Sequence, residues 1–184
     1  VSFEIQTNSA LTWNWRTEYR LTTGAGTHGA VDVGSGWHTN GASVTILATA
    51  SNGYHFAEWT GDVPTGSETA NPLTVTLDQA RALTAGFAIN MYAITATAGP
   101  NGAIVPTGTV MVAHGDGANF AMTAIPPAHL DEVTVDGALA RVFGPGDSVF
   151  TSRFDNVVSD HTISVSFNLP PTAFANQASI TIDI

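Results

Sequence analysis

Six histidines and 15 acidic residues are the side chains of this chain that could bind a metal ion or transfer protons. The histidines are scattered, and no two of them stand at the spacing of paired metal ligands. The acidic residues stand near turns, without the run of closely spaced oxygen ligands that calcium requires. We expect no transition-metal site and no cofactor, and we leave open a calcium site shared between Asp62 and neighbouring loop carbonyls. The six histidines are His28, His38, His55, His114, His129 and His161.

No arrangement of nucleophile and base is visible. The chain has no cysteine, which excludes a thiolate nucleophile as well as disulfides. The segment Gly34-Ser-Gly36 lacks the spacing of the serine elbow of hydrolases. A pair of facing carboxylates for glycoside hydrolysis would form only in the folded chain. We expect a protein that is not an enzyme.

Binding through an exposed aromatic ring is the sharper possibility, because such rings stack on sugars. Trp37 is the candidate glycan contact, since Gly36 and His38 flank it in a turn-rich segment. The alternative is that Trp37 only covers the edge of a sheet.

The other aromatic residues are expected to be buried. Trp13 and Trp15 share one face of an alternating segment with Leu11, which predicts that they lie in a core. Tyr54, Phe56 and Trp59 are likewise predicted to lie in a core or at a junction between modules.

Charge restricts the partners. The formal net charge is −10, and all five basic residues are arginines. Phosphate binding needs clustered lysine or arginine, so we expect no nucleic-acid binding. No apolar run approaches the roughly 20 residues that span a bilayer, and we expect no membrane insertion.

Strand patterns dominate, and they recur. Three alternating stretches end alike, and their starts at residues 11, 83 and 163 are separated by 83 − 11 = 72 and 163 − 83 = 80 residues. Recurrence at such a distance indicates tandem modules. The three stretches are Leu11–Trp15, Leu83–Phe87 and Ile163–Phe167.

The predicted fold is all-β: two tandem small antiparallel β-domains and an extended C-terminal strand. We assign 1–17 to the terminal hairpin of a preceding repeat or a cap, 18–89 to the first β-repeat domain and 90–168 to the second. Residues 169–184 are predicted to be a Pro-rich linker and a lone β-strand tail. Since the chain begins at Val1 rather than at a methionine, we expect a mature or excised piece.

Three motifs of the first domain carry a family resemblance: Gly53–Asp62, Asn71–Leu77 and Leu83–Ala88. Together they resemble the divergent internalin-type B-repeat, also called the bacterial repeat domain. The second domain resembles a looser version of the pattern, through Tyr92–Ala98 and His161–Phe167. The resemblance implies a module that is β-grasp-like without a substantial helix, found in tandem on secreted or surface-attached bacterial proteins. It implies no catalytic residues.

We therefore expect an extracellular, non-catalytic segment that serves as a structural spacer or adhesive stalk of a secreted or cell-surface protein. Its partners would be neighbouring β-domains of the same chain or other copies of itself, with a surface glycan or protein as a further partner.

Two alternatives stay open. One is a carbohydrate-binding module that uses Trp37. The other is a subunit of an extracellular filament built by strand donation, in which Ile180, Ile182 and Ile184 of one tail insert into a neighbouring copy.

Overall fold

The structure is a computed structural model that describes Glu4 and residues 12–171. This part of the chain contains sixteen β-strands and no helix, which confirms the all-β prediction and leaves no helix there that could cross a membrane. The strands are β1 (Glu18–Ala25), β2 (Gly29–Val31), β3 (Gly36–Thr39), β4 (Ala42–Ile46), β5 (Ala48–Ala50), β6 (Tyr54–Gly61), β7 (Leu73–Leu77), β8 (Arg81–Ile89), β9 (Met91–Ala98), β10 (Gly102–Val105), β11 (Gly108–Ala113), β12 (Ala118–Ala124), β13 (His129–Val135), β14 (Ala138–Val142), β15 (Val149–Phe154) and β16 (His161–Asn168).

The chain divides into two compact units between Ile89 and Asn90. Unit one contains β1 to β8, and unit two contains β9 to β16. None of the hydrogen-bonded sheets mixes strands from the two units. Each unit therefore has its own sheets.

The main sheet of unit one has the order β3-β1-β8-β6, and β1 and β8, the first and last strands of the unit along the chain, are parallel neighbours in it. Parallel neighbours need a long crossover connection. In a β-grasp fold a helix belongs to that crossover, whereas here the ribbons β2–β5 and β4–β7 belong to it. The unit is thus β-grasp-like with strands in place of the helix.

The core of unit one lies between this sheet and the ribbons. Trp59, Leu21 and Leu83 of the sheet are almost completely buried, as are Ile46 and Leu73 of the ribbon β4–β7. Strand β7 alternates buried and exposed residues without exception, because only one face of the ribbon meets the sheet.

Unit two repeats the plan. Its larger sheet has the order β11-β9-β16-β13-β14, with β9 and β16 parallel, and a three-stranded sheet β10-β12-β15 forms the second layer. Phe120 and Met122 of the smaller sheet pack with Ile94, Leu130 and Ile163 of the larger one. The two layers bury a core separate from that of unit one.

A glycine packed on an aromatic ring occurs at the same place in both units. A Cβ added at Gly29 would lie 2.2 Å from the Phe87 ring, and one added at Gly102 would lie 2.1 Å from the Phe167 ring. The residue before each glycine has a positive φ, 75° at His28 and 70° at Asn101. In both turns the absence of a side chain thus lets an aromatic ring pack directly on the glycine backbone.

The two units differ in what lies beside β6 of unit one and beside the corresponding strand β13 of unit two. In unit one the loop after β6 returns to that strand, so the Trp59 backbone N–H donates to the Glu68 carbonyl at 2.6 Å and the indole Nε1–H donates to the Ala70 carbonyl at 2.8 Å. Unit two has Val133 at the matching position, and the strand β14 pairs with β13 there. An extra strand thus replaces the loop that tryptophan anchors.

Candidate functional site

Trp37 lies on β3, the edge strand of the main sheet of unit one. Its side chain is 65% exposed, and it stands directly opposite Arg20 of the neighbouring strand β1. Opposite residues of an antiparallel pair point to the same face of a sheet. Leu21 lies on the core face, so Trp37 and Arg20 lie on the outer face.

The segment before Trp37 is anchored to β1. The Ser35 hydroxyl accepts the backbone N–H of Thr23 at 3.0 Å, and the Thr23 hydroxyl donates to the Val33 carbonyl at 2.6 Å. The backbone of β3 is thereby held in register, and the exposed position of the indole follows from the fold of the turn.

Arg20 differs from the other arginines. Arg81 pairs with Asp78, Arg153 with Asp155 and Arg16 with Glu18, while Arg141 lies over the rings of Phe143 and Phe150. The Arg20 side chain has no ion-pair, hydrogen-bonding or ring partner among the residues that the structure describes. In a chain with 15 acidic residues, an unpartnered guanidinium beside an exposed indole is the feature most suited to binding.

The surface next to this pair is rich in small residues. Thr22 of β1 and Ala82 and Thr84 of β8 point outward in neighbouring rows of the same sheet, and all three are exposed. Small side chains of this kind allow an extended ligand to approach the sheet. We call Trp37, Arg20 and these three residues the outer face.

The prediction that Trp13 and Trp15 are buried is wrong. The side chains are 71% and 92% exposed, and both residues precede the first described strand. Alternation predicts that the two side chains share an apolar face, but no layer of the described residues covers that face. Trp59 is 1% exposed, as predicted, and Phe56 packs against the same core.

The histidines and carboxylates of the described residues form no metal-binding cluster. No group of three or more potential metal ligands occurs in the described part of the chain. Asp62, the candidate calcium ligand, accepts the Ala82 backbone N–H at 2.8 Å through its carboxylate. Its own backbone N–H donates to the Ala82 carbonyl, so the side chain has a structural role.

Unit two has the same device at Asp136. The carboxylate accepts the Thr162 backbone N–H at 2.8 Å and contacts His161 Nδ1 at 2.8 Å, and the Asp136 N–H donates to the Thr162 carbonyl. The Thr162 N–H, followed by the His161 ring, holds the pKa of Asp136 below the usual value of an aspartate. The separation of the two aspartates, 136 − 62 = 74 residues, is close to the repeat distance and is the signal in the sequence that points to this shared device.

A lowered pKa makes the stability of unit two depend on acid. The charged carboxylate stabilises the folded unit above the ordinary aspartate pKa, and this contribution is lost as the pH falls through the lowered value. We expect the wild type to lose more stability than Asp136→Asn as the pH falls through the ordinary aspartate pKa and below it. Amide hydrogen exchange at Ile163 and Val165 measures this for unit two, and equal pH slopes for the two proteins would contradict the assignment.

The tail residues Ile180, Ile182 and Ile184 lie outside the described residues, so strand donation stays a prediction. The same holds for a glycan contact at Trp37, whose exposed position on an edge strand agrees with it without testing it.

Comparison with known protein families finds a match to one family model. Residues 19–91 match the family model of the divergent InlB B-repeat domain, which confirms the resemblance for unit one. No curated protein and no solved structure matches the chain significantly.

Proposed function

Because residues 19–91 form a divergent InlB B-repeat domain, we propose that the chain is a non-catalytic, extracellular tandem-repeat segment that acts as a structural spacer or adhesive stalk. We infer that unit two is a second, more divergent copy of the same repeat. The inference is supported by the parallel pairing of first and last strands in both units and by the glycine–ring contact that they share.

The observation that carries the proposal is the duplication of a whole unit with its own core. The contact of Gly29 with Phe87 in unit one recurs as that of Gly102 with Phe167 in unit two. By contrast, no cluster of potential metal-ligating side chains occurs in the described residues of either unit. A segment that repeats its packing and not a reactive site suits spacing and display. The family belongs to bacterial surface repeat modules, which supports a position outside the cell.

Self-association distinguishes a spacer from a filament subunit. A spacer is expected to sediment as a monomer over a hundredfold range of concentration, and removal of residues 174–184 should leave its sedimentation unchanged. A filament subunit would form large species that disappear when those residues are removed, because the donated strand would be lost. Sedimentation velocity of residues 1–184 and 1–173 measures this, and tail-dependent polymers would refute the spacer.

A carbohydrate-binding role is a second candidate function. The observation in its favour is the 65% exposure of Trp37 on an edge strand, because an exposed aromatic ring offers an apolar face on which a sugar can stack. The two roles are compatible, because an adhesive stalk can carry a weak sugar contact on unit one.

A further inference from the structure

We propose that Trp37 and Arg20 form a binding site for a sugar chain that carries carboxylates, such as a uronic-acid polymer. The proposal rests on the carbohydrate-binding candidate above and adds the chemical class of the ligand. It combines two side chains that stand opposite each other on neighbouring strands.

The indole supplies the apolar part of the site. Sugar rings have one face of C–H groups, and such a face packs on an exposed aromatic ring. Trp37 offers this surface without rearrangement, because β1 and the Ser35 hydrogen bonds hold the backbone on which it stands. A rigid two-torsion side chain loses little entropy on binding.

The guanidinium supplies the charge selectivity. An arginine binds a carboxylate through two parallel N–H···O bonds, and Arg20 has its donors free of described protein partners. The Cβ atoms of opposite residues in an antiparallel pair lie about 5 Å apart. One sugar ring on Trp37 therefore places its own carboxylate, or that of the next sugar, within reach of Arg20.

The surroundings fit an extended polymer better than a small anion. Thr22, Ala82 and Thr84 continue the outer face across β1 and β8 with small side chains. The nearest carboxylate along β1 is Glu18, which is paired with Arg16. The net charge of −10 opposes an anionic ligand at long range, but salt screens this beyond about 8 Å, whereas direct pairing persists.

The test uses polygalacturonate and its fully methyl-esterified form, which share a backbone and differ only in the charge of the carboxyl group. The proteins are the full chain, Trp37→Ala and Arg20→Gln, with Trp15→Ala and Arg153→Gln as controls for an exposed tryptophan and an exposed arginine elsewhere. Binding is measured by affinity electrophoresis, and far-ultraviolet circular dichroism verifies that every variant is folded.

We expect the wild type to bind the acid polymer at least tenfold more tightly than the ester. Trp37→Ala should lose tenfold or more on both polymers, Arg20→Gln should lose a similar factor on the acid only, and the two controls should bind like the wild type.

Three results would overturn the proposal in distinguishable ways. Unchanged binding by Arg20→Gln, or equal binding of acid and ester, removes the carboxylate site and leaves the carbohydrate candidate at Trp37 intact. An equal loss in Arg153→Gln and Arg20→Gln shows unspecific charge attraction. No binding of either polymer, or of alginate and hyaluronan, removes both this proposal and the carbohydrate candidate.

Discussion

Alanine in place of Gly29 or Gly102 is expected to destabilise the unit that carries it by about 1–3 kcal/mol and to leave the stability of the other unit unchanged. The new Cβ would stand 2.2 Å from the Phe87 ring or 2.1 Å from the Phe167 ring, well inside van der Waals contact. Both rings are partly buried and pack against their cores, so the ring or the turn has to shift to admit a Cβ. Overpacking of this kind typically costs about 1–3 kcal/mol, compared with a total stability of about 5–15 kcal/mol for a whole domain.

The two variants report on each other. All four tryptophans belong to unit one, so Trp59 fluorescence follows Gly29→Ala, and amide hydrogen exchange of unit two follows Gly102→Ala. Gly34→Ala and Gly144→Ala are matched controls, because nothing lies within 4 Å of a Cβ at either site. The packing described would be contradicted if Gly29→Ala and Gly102→Ala were as stable as the wild type. It would also be contradicted if either substitution destabilised both units.

Trp59→Ala is expected to destabilise unit one by about 3–5 kcal/mol, the usual cost of removing a large aromatic side chain from a core. Trp59 is 1% exposed. Its removal leaves a cavity and also frees the Ala70 carbonyl that accepts the indole N–H at 2.8 Å. The loop that covers β6 should lose its anchor at the same time.

Trp59→Phe separates these effects, because it retains most of the volume and loses the hydrogen bond, so its cost should be smaller. Trp37→Ala is the matched control for an exposed tryptophan of the same unit and should change stability by less than about 0.5 kcal/mol. Urea denaturation followed by far-ultraviolet circular dichroism measures all three. Equal losses in Trp37→Ala and Trp59→Ala would show that the burial of Trp59 is not what stabilises the unit.

Much of the fold follows from patterns that a reader can count. Strict alternation in Leu73–Leu77 predicts a half-buried strand, and the structure shows it. The pairing partners do not follow in the same way: alternation along β1 is compatible with a parallel or an antiparallel neighbour. The parallel pairing of β1 with β8 depends on contacts between residues about sixty positions apart.

The candidate site shows the same division. The residue types around Trp37 indicate an exposed aromatic, but Arg20 becomes part of the site only through the register of β1 with β3. Trp13 and Trp15 show the opposite failure, since alternation identifies an apolar face without identifying a layer to cover it. Local pattern thus locates strands, and long-range packing decides which faces are free.

The placement of the first and last strands determines how each unit carries tension. In a chain pulled from both sides, force enters unit one at the start of β1 and leaves at the end of β8, which are parallel neighbours. The strands are then sheared past one another, so the hydrogen bonds from Leu21–Arg81 to Ala25–Ala85 are loaded simultaneously rather than one after another. Strands β9 and β16 have the same parallel pairing. Under tension each unit is therefore loaded in shear, and its terminal strand pair has to separate before the unit can extend.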